Sequence, residues 1–266
     1  MCKTGDRFHN ISCLKRQCDN CGVQNLRLLD EEIDVSESAL NVKWETFEYV
    51  NVSVKGGKTI KKLQLVAKET KAGILFSHLK QLLINFPFHQ HSASWQNEQF
   101  KNLVSNLPLG SCVCVHDFSE NYRCSELQEL QRTYFQKTEV SIHVSVIHCH
   151  AMLEHDGIDS NEENTNVITE HFYVVSPDQQ HGHFFLHEVR KQISEYLKSI
   201  SCDITSMHEL TDGCSSQYKS RHCFGDISNT YADSGYEVFS RNFFETSHVK
   251  GIYRLHYVFI DMQNPF

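Results

Sequence analysis

The segment Ser111–Phe118, SCVCVHDF, constrains the fold of this chain more than any other. It is a short, continuous and largely apolar run between turn signals, with Leu107-Pro108-Leu109-Gly110 ahead of it and polar residues behind. A run of this kind, with no polar alternation for water to face, predicts a buried central strand. It delivers Asp117 at its carboxyl end.

The flanking segments supply the rest of a sheet. Glu139–His150 alternates Val140, Ile142, Val144 and Val146, and Ile168–Val175 reads as a further strand; the acidic, Asn-rich stretch between them, Glu154–Asn166, reads as a loop. Phe184–Leu197 places Phe185, Val189, Ile193 and Leu197 on one helical face. Ile204–Leu210 predicts a strand that hands the chain to Asp212 and the turn residue Gly213, and Tyr236–Phe244 a last strand ending at Glu245. Strands interleaved with a helix define an α/β fold, a mixed sheet with flanking helices.

Upstream, alternation through Trp44, Phe47, Tyr49, Val52 and Val54 and then Ile60, Leu63 and Leu65, around Gly56-Gly57, predicts a hairpin over Leu40–Val66. Ile74–Phe86 and Trp95–Leu107 have helical spacing, and Pro87 predicts a stop between them at the His-rich link Phe88-His89-Gln90-His91. The first thirty residues are rich in cysteine, and the acidic run Asp30–Glu37 follows as a linker. The expected organisation is a Cys-rich segment over 1–30, a hairpin and helical lead-in over 31–106, a core over 107–251 and an atypical tail over 252–266.

Composition narrows the function classes. No stretch of the 266 residues approaches the roughly 20 apolar residues of a membrane helix, and the N-terminus has no apolar signal core, so an intracellular protein is expected. Eleven cysteines, an odd number, then read as reduced thiols, some of them metal ligands. A formal charge of -8 argues against non-specific coating of nucleic acid, so a DNA partner has to meet local basic patches such as Lys55–Lys62 and Lys68–Lys71, which read equally as solvated faces.

Asp117 and Asp212 both end predicted strands, where functional groups of open α/β sheets converge. Two close carboxylates repel unless one is protonated or a divalent cation lies between them, and Mg²⁺ takes such oxygen ligands. Spacing alone favours a plainer role as turn formers, since Asp before Gly is a common turn signal.

Three strings shift that weight: Leu107–Tyr122, LPLGSCVCVHDFSENY; Thr211–Ser220, TDGCSSQYKS; and Phe243–Gly251, FFETSHVKG. Together with Trp95-Gln96, Gln99 and the Cys-rich start, they resemble a family of animal transposase-derived proteins with a ribonuclease H-like, DDE-type core. The resemblance implies that Asp117 is the first catalytic acid, on the first core strand, and Asp212 the second, on the fourth. It implies Mg²⁺ or Mn²⁺ as cofactor, DNA as partner, and a nuclear protein for which a homo-oligomer is open. Glu120, Asn121, Gln217, Lys219, His248 and Lys250 are then candidates to support the site or contact phosphate; helix caps and solvated turns are the plainer readings of the first four.

The chain departs from the family where the third acid belongs. Relatives follow the last strand with a pattern like HGKG-x-x-D-G; here Ser247-His248-Val249-Lys250-Gly251 leads into Ile252-Tyr253-Arg254 with no acid at the matching place. Glu245 and Asp261 are weak substitutes. Losing a ligand of a two-metal site removes most of its activity. The expectation is a catalytically impaired remnant of a metal-dependent nuclease or strand-transfer domain; the alternatives are an active DNA transposase-type enzyme and a non-catalytic DNA-binding or interaction module.

Cys13, Cys18 and Cys21, followed by Gly22, have the spacing of a zinc half-site, which Cys2 or His9 would complete, and a structural Zn²⁺ would stabilise a segment without a core. The family resemblance carries a similar segment. His183 and His187, at i and i+4, give a weaker metal signal. In the surface turn Ser176–Gly182, Asp178 and His181 match a family loop. Cys112, Cys114, Cys149 and Cys202 read as small buried hydrophobes.

Overall fold

A computed structural model describes residues 9–15, 18–26, 28–53, 57–119, 121–124, 139–214 and 217–245. The chain divides into two compact units, residues 1–92 and 93–266. Among the described residues no helix is long and apolar enough to cross a membrane.

In the first unit, short helical turns at Ile11–Leu14 and Asp30–Ile33 lead to a two-stranded antiparallel ribbon of β1 (Asn41–Ser53) and β2 (Thr59–Lys71). The β-branched and aromatic residues of β1 favour this extended form, and Phe47 lies opposite Leu65, Tyr49 opposite Leu63. Helix α1 (Ala72–Ser105) follows β2 directly. Its second residue must be glycine, because a Cβ on Gly73 would lie 2.5 Å from the Ile33 carbonyl oxygen. Trp44 donates Nε1–H to Thr70 Oγ1 at 2.9 Å, and its ring lies 5.0 Å from that of His78 on α1.

The two helices expected on either side of Pro87 are one continuous helix that contains it. Proline removes one N–H and crowds the carbonyl one turn back, but the residues that follow it, Phe88–Ser94, include no glycine and no second proline to end the helix. Helical turns on both sides bridge the missing bond.

The second unit is built on the predicted sheet. Its strands are β3 (Ser111–Phe118), β4 (Tyr122–Arg123), β5 (Glu139–His150), β6 (Val167–Ser176), β7 (Ser206–Thr211) and β8 (Val238–Phe243), with helices α2 (His183–Ser199), α3 (Arg221–Ser228) and α4 (Thr230–Ser234). The order is β6-β5-β3-β7-β8; β5 runs antiparallel to β3 and β6, while β7 runs parallel to β3 and β8. Past Phe118, which faces His143, the chain pairs again at Tyr122 with Val140, so four steps along one arm meet three along the other, a bulge beside Asp117.

Two cores fill the two faces. Phe185, Val189, Ile193 and Leu197 of α2 pack on Cys112, Cys114, Ile147, Cys149 and Met207, as their helical spacing and the apolar cysteines predict. On the other face Phe100 and Leu107 cover Val113, Val115, Val146 and Leu210. β3 is therefore buried on both sides until Asp117 and Phe118, where it becomes half-buried. The two short helices α3 and α4 do not follow from the sequence reading.

Candidate functional site

Parallel pairing sets the site. His116 of β3 faces Thr211 of β7, so the next residue on each strand path is an aspartate, Asp117 on β3 and Asp212 one step past β7. Neighbouring strands lie about 4.8 Å apart. The β3–β5 ladder breaks just past Asp117, between Phe118 and Tyr122, and β7 ends at Thr211, so both strands lose their regular pairing at this level. Both aspartates are half-buried at the edge of the core.

Asp212 also does what its sequence neighbour predicts. Its Oδ1 accepts the N–H of Cys214 at 3.0 Å, closing a side-chain turn over Gly213. Gly213 leaves room for Lys219, whose Nζ would lie 3.1 Å from a Cβ there, and the same ammonium sits 4.5 Å from the centre of the Phe243 ring. Lys219 thus stands beside the Asp212 turn, while Gln217 is half-buried and its carbonyl accepts the Cys223 thiol at 3.0 Å. Asn121 is exposed in the bulge. Glu120, His248 and Lys250, and with them Asp261, lie outside the described residues.

Tyr218, between Gln217 and Lys219, feels the charge of both aspartates. It is only 1% exposed and packs with Leu186 and Cys223, against Phe118, Cys214 and Phe243. Its hydroxyl is buried and has no hydrogen-bond partner among the described residues. Burial first, and then the charges of Asp117 and Asp212, push its phenol well above the ordinary range. The phenol is thereby held in its neutral O–H form. Sequence offered one signal for it, an aromatic residue in a tight polar turn just ahead of Ser220, which caps α3 by accepting the Cys223 N–H at 3.2 Å.

Gln96, part of the quoted resemblance, fastens the chain beyond β8. Its Nε2 donates to the Phe243 carbonyl at 3.1 Å and its Oε1 accepts the Glu245 N–H at 2.6 Å. Glu245 does not complete a ligand set: among the described residues no His, Cys, Asp or Glu joins Asp117 and Asp212 in a group of three whose ligand atoms lie within 4.8 Å of one another.

Behind the site lies a buried ionic network that sequence did not reveal. Glu209, three residues before Asp212 and 3% exposed, accepts Arg190 Nε at 2.9 Å and two bonds from Arg241 at 3.0 and 2.6 Å. Arg190 also binds Asp226 and, at 2.8 Å, Thr230, and His187 meets Asp226 at 2.6 Å. Two carboxylates balance two guanidiniums. Although burial opposes its charge, the guanidiniums, Arg190 foremost, hold the Glu209 carboxyl far below the usual range. Next to it His116 Nδ1 bonds Ser145 Oγ at 2.9 Å, and Ser145 Oγ lies 3.3 Å from Nδ1 of His143. Burial, then His116, keeps His143 well below the ordinary imidazole value.

Away from this site the sulfurs of Cys13, Cys18 and Cys21 lie within 4.8 Å of one another. Backbone N–H groups, that of Asn20 first and then that of Cys21, bring the Cys18 thiol down to about 7, toward the thiolate a metal needs. His9 is not within that group, and Cys2 lies outside the described residues. Of the helical pair, His187 stands with Asp226 and Asp233 in a second such group, whereas His183 stacks on His222 at 4.6 Å. His181 stacks on Phe118 at 4.2 Å and bonds Ser141 at 2.8 Å, and Ser141 Oγ donates to the Asp178 carbonyl at 2.7 Å.

The unit that carries the two aspartates is thus a mixed-sheet α/β domain with an acidic end. Residues 96–253 match the family model described as Domain of unknown function (DUF8701), more than half of the chain, and the protein belongs to that family. No curated protein and no solved structure matches the chain.

Proposed function

We propose that this chain is a transposase-derived protein with a ribonuclease H-like core, in which Asp117 and Asp212 hold one divalent cation, Mg²⁺ or Mn²⁺, and in which strand transfer is impaired. The observation that carries the reading is the pair itself, in register on adjacent strands, beside a buried hydroxyl without a partner among the described residues. A core with one acid on its first strand and another on its fourth works only if those strands are neighbours. Counted within the sheet unit from β3 and leaving out the two-residue β4, the first and fourth strands are β3 and β7, and they are neighbours.

The donor set fits a hard cation. Carboxylate oxygens suit Mg²⁺ or Mn²⁺, which keep several waters, and a neutral phenol donates a hydrogen bond to such a water without competing for the metal. The cation would supply charge neutralisation of a phosphate oxygen. Asp117 and Asp212 bind and orient; Tyr218 positions a water or a carboxylate; Lys219 offers positive charge at the rim, where a DNA phosphate would approach. The impairment follows from the missing third ligand, without which the second metal of an in-line displacement is not fixed. Cys13, Cys18 and Cys21 hold a structural Zn²⁺ in the same reading.

Mn²⁺ titration followed by calorimetry, paired with a DNA-nicking assay, tests it. One bound ion, lost in Asp117→Asn and in Asp212→Asn, with no nicking by the wild type, is the expected result. Nicking that Asp117→Ala abolishes would instead establish the active enzyme.

A further inference from the structure

The ribbon of the first unit has one face that nothing covers among the described residues. Side chains directly opposite each other on paired strands share a face, so Glu45 and Ala67, Phe47 and Leu65, Tyr49 and Leu63, and Asn51 and Lys61 form successive rungs of one surface. Every one of these residues is exposed, Phe47 to 68% and Tyr49 to 72%. The opposite face holds the half-buried side chains, among them Trp44 against His78. An isolated two-stranded ribbon is marginal in water, and an open row of Phe, Tyr and two Leu adds to that burden.

We infer that this face binds the same face of a second copy of the chain. The surface is self-complementary about its own centre. A two-fold axis between the Phe47–Leu65 and Tyr49–Leu63 rungs lays each apolar rung of one copy on the other apolar rung of its partner. The same operation brings the Glu45 rung of each copy over the Lys61 rung of the other, giving two equivalent acid–base pairs, as an isologous interface requires. Both charges are available for it: Lys43 pairs with Glu69 at 3.8 Å, while neither Glu45 nor Lys61 is in an ion pair among the described residues. A face about 10 Å wide and some 13 residues long is smaller than the roughly 800 Å² per partner of a standard interface, which places the dimer among weak, transient associations.

Sedimentation of the full chain between about 1 and 200 µM, the range of weak association, reads the mass directly. The wild type shifts from monomer to dimer over this range. Glu45→Lys and Lys61→Glu each place like charges together twice and weaken self-association at least about tenfold. Mixing the two single variants restores a dimer, because each then meets its opposite charge, and so does the double variant alone. This rescue separates a lost interface from a misfolded ribbon. A wild type that stays monomeric throughout, single variants that dimerise like the wild type, or a mixture that does not associate would each overturn the inference.

Discussion

β5 of the sheet unit and β1 of the ribbon unit are of similar length, and they meet water in opposite ways. From His143 to His150 every residue of β5 is buried, although five of the eight are His, Ser or Cys. Along β1 each second residue is exposed, and two of these are Phe47 and Tyr49. The polar residues of β5 are tolerated because they find partners: His150 bonds the Leu107 carbonyl and Ser160 at 2.8 Å each, and His148 bonds Thr169 at 2.9 Å. The exposed apolar residues of β1 meet only the opposite strand of their own ribbon, Phe47 beside Leu65 and Tyr49 beside Leu63. Residue polarity alone therefore does not tell inside from outside; neighbours on the second face do.

The largest effect should come from breaking the buried network that supports the sheet. Glu209→Ala leaves Arg190 and Arg241 without their shared carboxylate, and chemical denaturation should show a loss of about 3–5 kcal/mol. Ile147→Ala, in the core under α2, should cost about 2–5 kcal/mol by the same measurement.

A pH-dependent loss comes next. Burial, with a smaller contribution from His171, holds His148 down at about 4, below the unfolded value near 6.5. Between those values the unfolded chain binds a proton that the folded chain refuses, so stability falls as pH drops from 6.5 toward 4. The shift corresponds to roughly 3 kcal/mol for this residue. Buried, neutral His143 adds to the loss in the same direction. Denaturation midpoints measured across that range should fall steadily, and less steeply in His148→Asn. The smallest effect belongs to the ribbon: Phe47→Ala should change the stability of the monomer by no more than about 0.5 kcal/mol. A large loss there would mean that the ribbon face is packed, and the contrast with β5 would fail.

Much of the sheet was legible because its strands are short apolar or alternating runs between turn signals. Ser111–Phe118 and Glu139–His150 have the predicted bounds, and α2 extends only slightly past its apolar face. Pro87 does not end the helix because its effect, one lost donor and a crowded carbonyl, is confined to one turn, whereas helix continuity depends on the residues to either side. α3 and α4 were missed because short helices of mixed polarity are fixed by the cap at Ser220 and by Asp226 and Thr230 reaching Arg190 across space. The placement of Asp117 and Asp212 at strand ends was readable, but not their shared level, which depends on a register between residues almost a hundred positions apart. Tyr218 was hidden for the same reason: its weight comes from what surrounds its hydroxyl, not from the string it sits in.

The central claim is that Asp117 and Asp212 together hold a divalent cation. Tb³⁺ luminescence, excited through nearby tyrosine and competed with Mg²⁺, reads occupancy and proximity at once. The account predicts saturable emission that Mg²⁺ displaces, that Asp117→Asn and Asp212→Asn abolish, and that Tyr218→Phe reduces while binding persists. Emission unaffected by either aspartate substitution, in variants that melt like the wild type, would contradict it.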